Sequence, residues 1–247
     1  MVTAVPALDH GAALQLLSDG ELEVVGRLVE ASNATLYCQI ATPTASAACV
    51  YKPEAGERPL WDFPDGSLAR RELAAYLVSE ATGWAIVPPT VRRDGPYGVG
   101  MVQLWIDADT EVDLLGLLRS DDPRLRRMAV FDAVINNADR KGGHLLPTPH
   151  GHLYGVDHGV CFAAEDKLRT LLWRWAGEPL PDEAPPVLRR LRASVDRNRP
   201  DKLGRALAEL LSPDEIGALE HRIDRLLDSG SYPMPNPDWP AIPWPPV

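Results

Sequence analysis

The chain has 247 residues, 45% of them hydrophobic and 24% charged, and a formal net charge of −10. That length can bury a sizeable core as one large domain or two lobes, and the acidic balance argues against nucleic acid as the main partner and mildly against docking on anionic lipid, since both want a basic surface. No apolar run approaches the ~20 residues of a membrane span, the first residues carry neither the basic region nor the apolar stretch of a signal peptide, which makes the cytoplasm the expected location, and Cys38, Cys49 and Cys161 are odd in number and lack metal-ligand spacing, so buried reduced thiols are expected.

In chain order, residues 8–19 read as a short helix. Residues 21–30 and 35–40 alternate as two strands around the turn residues Ser32-Asn33-Ala34, and 47–51 reads as a third strand that ends at Lys52-Pro53. Residues 54–66, rich in Pro, Gly and charge, read as a loop. Residues 67–82 place Leu68, Leu73, Tyr76, Leu77 and Ala81 near one face of an amphipathic helix, closed by Gly83. Ile86-Val87, Thr90-Val91 and 100–106 are strand-like, with a turn at Asp94-Gly95-Pro96.

After Asp107 the character changes. Residues 113–119 and 123–136 read as helices, and a hairpin with its turn near 147–151 follows. Residues 167–228 read as mostly helical, broken at 177–186, with a last helix over 214–227 opened by Ser212 as cap and Pro213 as first residue. From Tyr232 the chain is proline-rich and can form neither a regular helix nor a central strand. It is expected as a disordered tail or as a polyproline II strap pinned by Trp239 and Trp244. The arginine clusters at 70–71, 92–93, 124–127 and 189–192 are expected as solvated helix faces, His150 and His152 as solvated turn residues, and His158 as a structural residue bonded to a backbone carbonyl. The boundaries expected are an N-lobe over 1–107, a helical C-lobe over 108–231 and a Pro-rich tail over 232–247.

Two short acidic loops carry the functional signal: Asn136-Asn137-Ala138-Asp139-Arg140-Lys141-Gly142-Gly143-His144, and Tyr154-Gly155-Val156-Asp157-His158-Gly159. A hairpin between them would bring Asp139 and Asp157 close. Paired carboxylates there suit phosphoryl transfer, one to orient a hydroxyl and one to hold Mg²⁺. A small β-rich lobe followed by a mostly helical lobe, with an acid hairpin after the junction, is the layout of a two-lobed, α+β, protein-kinase-like fold. In it Lys52 at a strand end would pair with Glu72 on the next helix and hold the nucleotide's α/β-phosphates. Asp139, with Lys141 beside it, would meet the acceptor hydroxyl. Asp157 would bind the metal, and the strand through Gln103 and Trp105 would meet the adenine.

The segments VYKP, GERPLWDFPDG, RRELAAYLVSE, NNADRKGGHLL and GVDHG resemble those of an actinobacterial family described as phosphatidylinositol 3-/4-kinase-like, over roughly residues 20–230. The two acidic loops are similar in style to those of type II phosphatidylinositol 4-kinases and HipA-like toxin kinases. The resemblance implies an ATP and Mg²⁺ site with Lys52, Asp139 and Asp157 in the roles above. Two departures stand out. Ser32-Asn33-Ala34-Thr35 occupies the place of a glycine-rich phosphate loop, leaving fewer bare N–H groups for phosphates. His144 stands where related kinases usually have Asn as a second metal ligand, and imidazole suits Mn²⁺ or Zn²⁺ better than Mg²⁺.

The leading expectation is an ATP-dependent phosphotransferase using Mg²⁺ or Mn²⁺ on a protein or small-molecule hydroxyl. The alternatives are a nucleotide-binding pseudokinase that regulates a partner, an AMP transferase, and a metal-dependent hydrolase built on His144, His150, His152, His158 and Asp157.

Overall fold

The computed structural model describes residues 8–28 and 34–246. Helix α1 (His10–Asp19) starts where the Asp9 carboxylate accepts from the Ala12 N–H, one of the amides with no partner inside the helix. It leads into an antiparallel sheet of β1 (Glu21–Arg27), β2 (Leu36–Ala41), β3 (Ser46–Pro53), β4 (Thr90–Gly95) and β5 (Gly98–Leu104), in the order β1-β2-β3-β5-β4. Alternation along β2 and β3 turns Cys38, Ile40, Cys49 and Tyr51 inward, where they pack under Leu16 and Leu17 of α1. All three cysteines are free and buried. β5 approaches β3 closely at Gly100, where a Cβ would run into the carbonyl oxygen of Lys52; that glycine fixes the strand end that presents the lysine.

Helix α2 (Leu68–Thr82) ends at Gly83 with φ +73°. It is not the one-faced amphipathic helix expected. Ala69, Ala74, Ala75, Val78 and Ser79 are buried together with Leu68 and Tyr76, because α2 packs against β4 and β5 on one side and against helices of the second lobe on the other. Arg71, expected at the surface, is buried as well. Its guanidinium reaches the Glu215 carboxylate and donates to the Cys161 carbonyl at 2.7 Å, which ties α2 to the helical lobe.

That lobe holds α3 (Leu114–Arg119), α4 (Pro123–Ile135), the hairpin β6 (Leu145–Pro147) and β7 (Leu153–Gly155), then α5 (Ala184–Ser194), α6 (Lys202–Ala208) and α7 (Pro213–Ser229). Its core gathers Phe131 and Ile135 of α4, Trp175, Leu188 of α5, and Leu219 and Ile223 of α7. Ser212 and Glu215 form a reciprocal capping box at the start of α7. Residues 167–176 are not helical as expected, apart from one 3₁₀ turn at Trp173–Trp175. The final segment is a strap. It is pinned by Tyr232 and Trp239, while Trp244 is 84% exposed and pins nothing. Among the described residues, no helix is long and apolar enough to cross a membrane.

Candidate active site

The first acidic loop is built at the end of α4. Asn136 stops the helix in the left-handed region at φ +53°, and its amide nitrogen donates to the carbonyls of Ala163 and Glu165 at 3.0 and 2.6 Å. Asn137 donates to Asp132 Oδ1 and accepts from the Asp139 N–H, each at 3.0 Å. Arg140 turns inward. Its guanidinium meets both oxygens of Asp132 at 2.8–3.2 Å, and both side chains are 0% exposed. The same group donates to the Val156 carbonyl at 3.2 Å and lies 2.7 Å from His158 Nε2. Burial alone would lower the Arg140 pKa, but the Asp132 carboxylate outweighs it and raises it. Asp139, thus presented by a fixed loop, has the Lys141 ammonium 3.0 Å from its Oδ2.

The second acidic loop follows β7. Asp157 adopts φ +62°, a conformation that costs a non-glycine residue about 1–3 kcal/mol and persists only where neighbours enforce it. Here the neighbours are ionic. Lys52 Nζ lies 2.8 Å from Asp157 Oδ1 and 2.5 Å from Glu72 Oε1, and the other Glu72 oxygen accepts from the His158 N–H at 2.9 Å. Three elements therefore meet on one ammonium: β3, α2 and the loop after the hairpin. Burial pulls the Lys52 pKa down, yet Asp157 and then Glu72 overcome it and leave it raised. Burial raises the pKa of Glu72 despite the lysine, while the lysine holds that of Asp157 well down. The Asp157 side chain is still 53% exposed, and its second oxygen lies 3.5 Å from His144 Nε2.

His144 sits on the 3₁₀ turn Gly142–His144 and points at Asp157. Burial lowers its pKa more than Asp157 raises it, which favours the neutral ring. Its Nδ1 accepts from the Lys141 N–H at 3.5 Å, which leaves the ring proton on Nε2, facing Asp157. Among the described residues no group of three or more His, Cys, Asp or Glu side chains is gathered as a ready metal cage. The hydrolase alternative loses its basis here: His150 is exposed, and His152 Nε2 lies 2.8 Å from the Ala85 carbonyl. The latter also corrects the expectation of a solvated His152. His158 is structural, but it faces the Arg140 guanidinium and not a backbone carbonyl.

Of the other residues singled out, Ser32 and Asn33 lie outside the described residues. Gln103 is buried and donates to Thr90 Oγ1 at 2.9 Å, so its amide is committed within the sheet. Trp105 packs edge-on against Tyr37 at 5.0 Å and donates to Asp107. Sequence reasoning did not mark Asp132, Asn137 or Arg140 as the frame of the site. It also missed Trp61 and Arg169, and marked Trp239 only as a pin of the strap; the three wall a cavity of about 790 Å³ whose lining includes Asp139 and Asp157.

No family model matches the chain. Protein Rv2133c of Mycobacterium tuberculosis is 48% identical over 93% of this chain and 94% of its own length. The chain belongs to the family of Protein Rv2133c. Phosphatidylinositol 4-kinase gamma 4 of Arabidopsis thaliana is 29% identical over 53% of the chain, and its namesake in Oryza sativa 28% identical over 53%. The chain spans only 28% and 27% of those two proteins. The crystal structure of the Helicobacter pylori proinflammatory kinase CtkA superposes with a TM-score of 0.53 at 13% identity, covering 87% of this chain and 95% of that one. The fold is kinase-like, α+β.

Two predictions follow from the frame. Asp132→Ala leaves the Arg140 cation buried without its partner, which should cost about 3–5 kcal/mol in urea unfolding; a loss below about 1 kcal/mol would contradict the dry pairing. Stability should also depend on pH through the histidines. Burial, reinforced by Arg140, holds the His158 pKa well below its usual value, and that of His144 is lowered in the same sense. Unfolded histidine titrates near about 6.5, so below that pH the unfolded chain binds more protons than the folded one. This contribution is complete above about 6.5 and is lost as pH falls below it. The urea midpoint of the metal-free protein should drop from pH 7 to pH 5, and drop less in His158→Gln; equal slopes for the two proteins would refute the assignment.

Proposed function

We propose that this chain is an ATP- and divalent-metal-dependent phosphotransferase acting on a hydroxyl group of a protein or small molecule. The observation that carries the reading is the Lys52 ammonium held at once by Glu72 of α2 and by Asp157. A kinase needs a strand lysine steadied by a helix carboxylate to hold nucleotide phosphates, and a neighbouring aspartate to hold the metal that bridges them. Here the three groups are already in contact. The kinase-like fold and the partial similarity to the plant enzymes support the same reading.

The residues present fit the metal. Mg²⁺ is usually held by one or two carboxylates with substrate phosphates and water, not by an all-protein cage. Asp157 offers an exposed carboxylate, and His144 beside it, once its ring proton moved from Nε2 to Nδ1, would favour Mn²⁺ as an alternative. Bound with the nucleotide, the metal supplies neutralisation of charge on the transferring group. Asp139, fixed through its backbone by Asn137, would accept the proton of the acceptor hydroxyl, and Lys141 beside it would face the developing negative charge. A lipid acceptor is what the plant relatives' name carries. The net charge of −10 disfavours approach to an anionic membrane, which leaves a protein or small-molecule hydroxyl as the better fit.

One observation favours a second reading, a nucleotide-binding pseudokinase: imidazole, not an amide, faces Asp157. ADP release separates the two, since a pseudokinase would bind ATP without turning it over.

Asp157→Ala should abolish the metal-dependent part of thermal stabilisation by ATP while the chain still folds, since Glu72 keeps hold of Lys52. Some stability should be lost, because alanine would hold the φ of +62° without the lysine contact. Turnover should fall on the order of 10²-fold or more, by analogy with single electrostatic losses at other active sites. Unchanged ATP–metal affinity in the variant would remove Asp157 from the site.

A further inference from the structure

The strap runs beside the first acidic loop. Tyr232 anchors its start, with its ring beside Trp175 and its hydroxyl donating to the Arg126 carbonyl at 3.2 Å. The Ala241 carbonyl accepts from the Thr170 N–H at 3.0 Å and from Trp173 Nε1 at 2.7 Å. Thr170 in turn is bridged to Arg140. The Pro246 carbonyl accepts from the Gly142 N–H at 2.9 Å, three residues beyond Asp139. Trp239, its ring 5.5 Å from the Lys167 ammonium, walls the cavity of Asp139 and Asp157 together with Pro240. Trp61, 87% exposed, walls the same cavity from the 57–66 loop.

Three features make this strap read as a bound ligand. Besides two side-chain contacts, the Asn236 amide donating to the Asp166 carbonyl at 3.3 Å and the Trp239 ring near Lys167, it meets the 140–173 region through the carbonyls of Ala241 and Pro246, as a proline-rich chain short of N–H donors must; these carbonyl contacts are indifferent to side chains and would serve another extended peptide equally. Residues 233–246 contain no Ser, Thr or Tyr, so this peptide offers nothing to phosphorylate. One donor in the cavity wall, Arg169 Nε, is closed off from solvent without a hydrogen-bond partner while the strap is seated. A buried donor of this kind is costly unless met, and a peptide carbonyl in the strap's place would meet it.

We propose that the acceptor is a hydroxyl-bearing extended peptide, and that the strap holds the acceptor's groove as a peptide without a hydroxyl. This rests on the phosphotransferase reading above. In the step itself the peptide hydroxyl oxygen bonds to the γ-phosphorus of ATP, the bond from that phosphorus to the β,γ-bridging oxygen breaks, ADP departs with the electron pair, and the hydroxyl proton passes to Asp139.

The test uses the full chain carrying Pro240→Ser, incubated with ATP and Mg²⁺ or Mn²⁺, with ADP release followed and the phosphorylated residue mapped by mass spectrometry. One phosphoryl group should appear at position 240, at a rate independent of protein concentration, and vanish when Asp139→Asn is added. ADP release without phosphate at position 240 overturns the inference and leaves the phosphotransferase reading standing; no ADP release overturns both. A second arm works in trans, with a synthetic peptide of residues 234–246 carrying Pro240→Ser as the probe. The full chain with Trp239→Ala, its strap loosened from Lys167, should phosphorylate that peptide about fivefold faster than the unaltered chain. Equal rates, or transfer to free inositol or to phosphatidylinositol vesicles in preference to the peptide, would overturn it.

Discussion

One buried guanidinium organises the candidate site. Arg140 is sealed from water with Asp132, and the same group reaches the Val156 carbonyl and His158. It therefore binds the end of α4, the first acidic loop and the second acidic loop into one unit. An unpaired cation at such depth would be severely destabilising, so the pair cannot slacken without loss of the fold around it. The positions of Asp139 and Asp157 follow from that constraint. Each follows or precedes a group held by this frame: Asp139 is adjacent to Arg140, and Asp157 lies between Val156 and His158. Loops are normally the mobile parts of a domain; these two are fastened to a helix from below.

The second organising contact joins the lobes. Lys52 belongs to the sheet, Glu72 to α2 and Asp157 to the helical lobe, and α2 touches both lobes. An ammonium shared by two carboxylates is satisfied without nucleotide. Binding of phosphates would draw on the lysine while metal drew on Asp157, replacing one set of charges with another and leaving no charge unpaired. Glu72 stays behind as the lysine's fixed partner, fastened by the His158 N–H. The arrangement explains why a carboxylate as buried as Glu72 is tolerated.

Much of this was readable from local signals. A lysine at the end of an alternating strand, a glutamate on the following helix, and aspartates in two polar turns flanking a hairpin all express short-range rules. What stayed hidden depends on partners distant in sequence. Helix α2 is buried on several sides through Ala69, Ala74, Ala75 and Ser79, small residues that give weak periodic contrast, so only its larger side chains drew a face. Residues 167–176 lack helix because amides there bond elsewhere: Arg169 to the Asn137 carbonyl, Leu171 to that of Arg140, Thr170 to that of Ala241. Tertiary bonding overrides propensity there. Trp239 and Trp244 look alike in a proline-rich run, and only the position of Lys167 decides that the first is an anchor. Arg71 sat in a pair of arginines with nothing to reveal that Glu215 would meet it.

The central claim is that Lys52 and Glu72 act as one unit in holding a nucleotide. Calorimetric titration of ATP with Mg²⁺ and with Mn²⁺ into the unaltered chain, Lys52→Met, Glu72→Gln and the double variant measures it directly. The account predicts metal-dependent binding to the unaltered chain, weakening in each single variant, and a coupling of about 0.5–3 kcal/mol between the two positions. Absence of ATP binding by the unaltered chain, or strict additivity of the two substitutions, would contradict it.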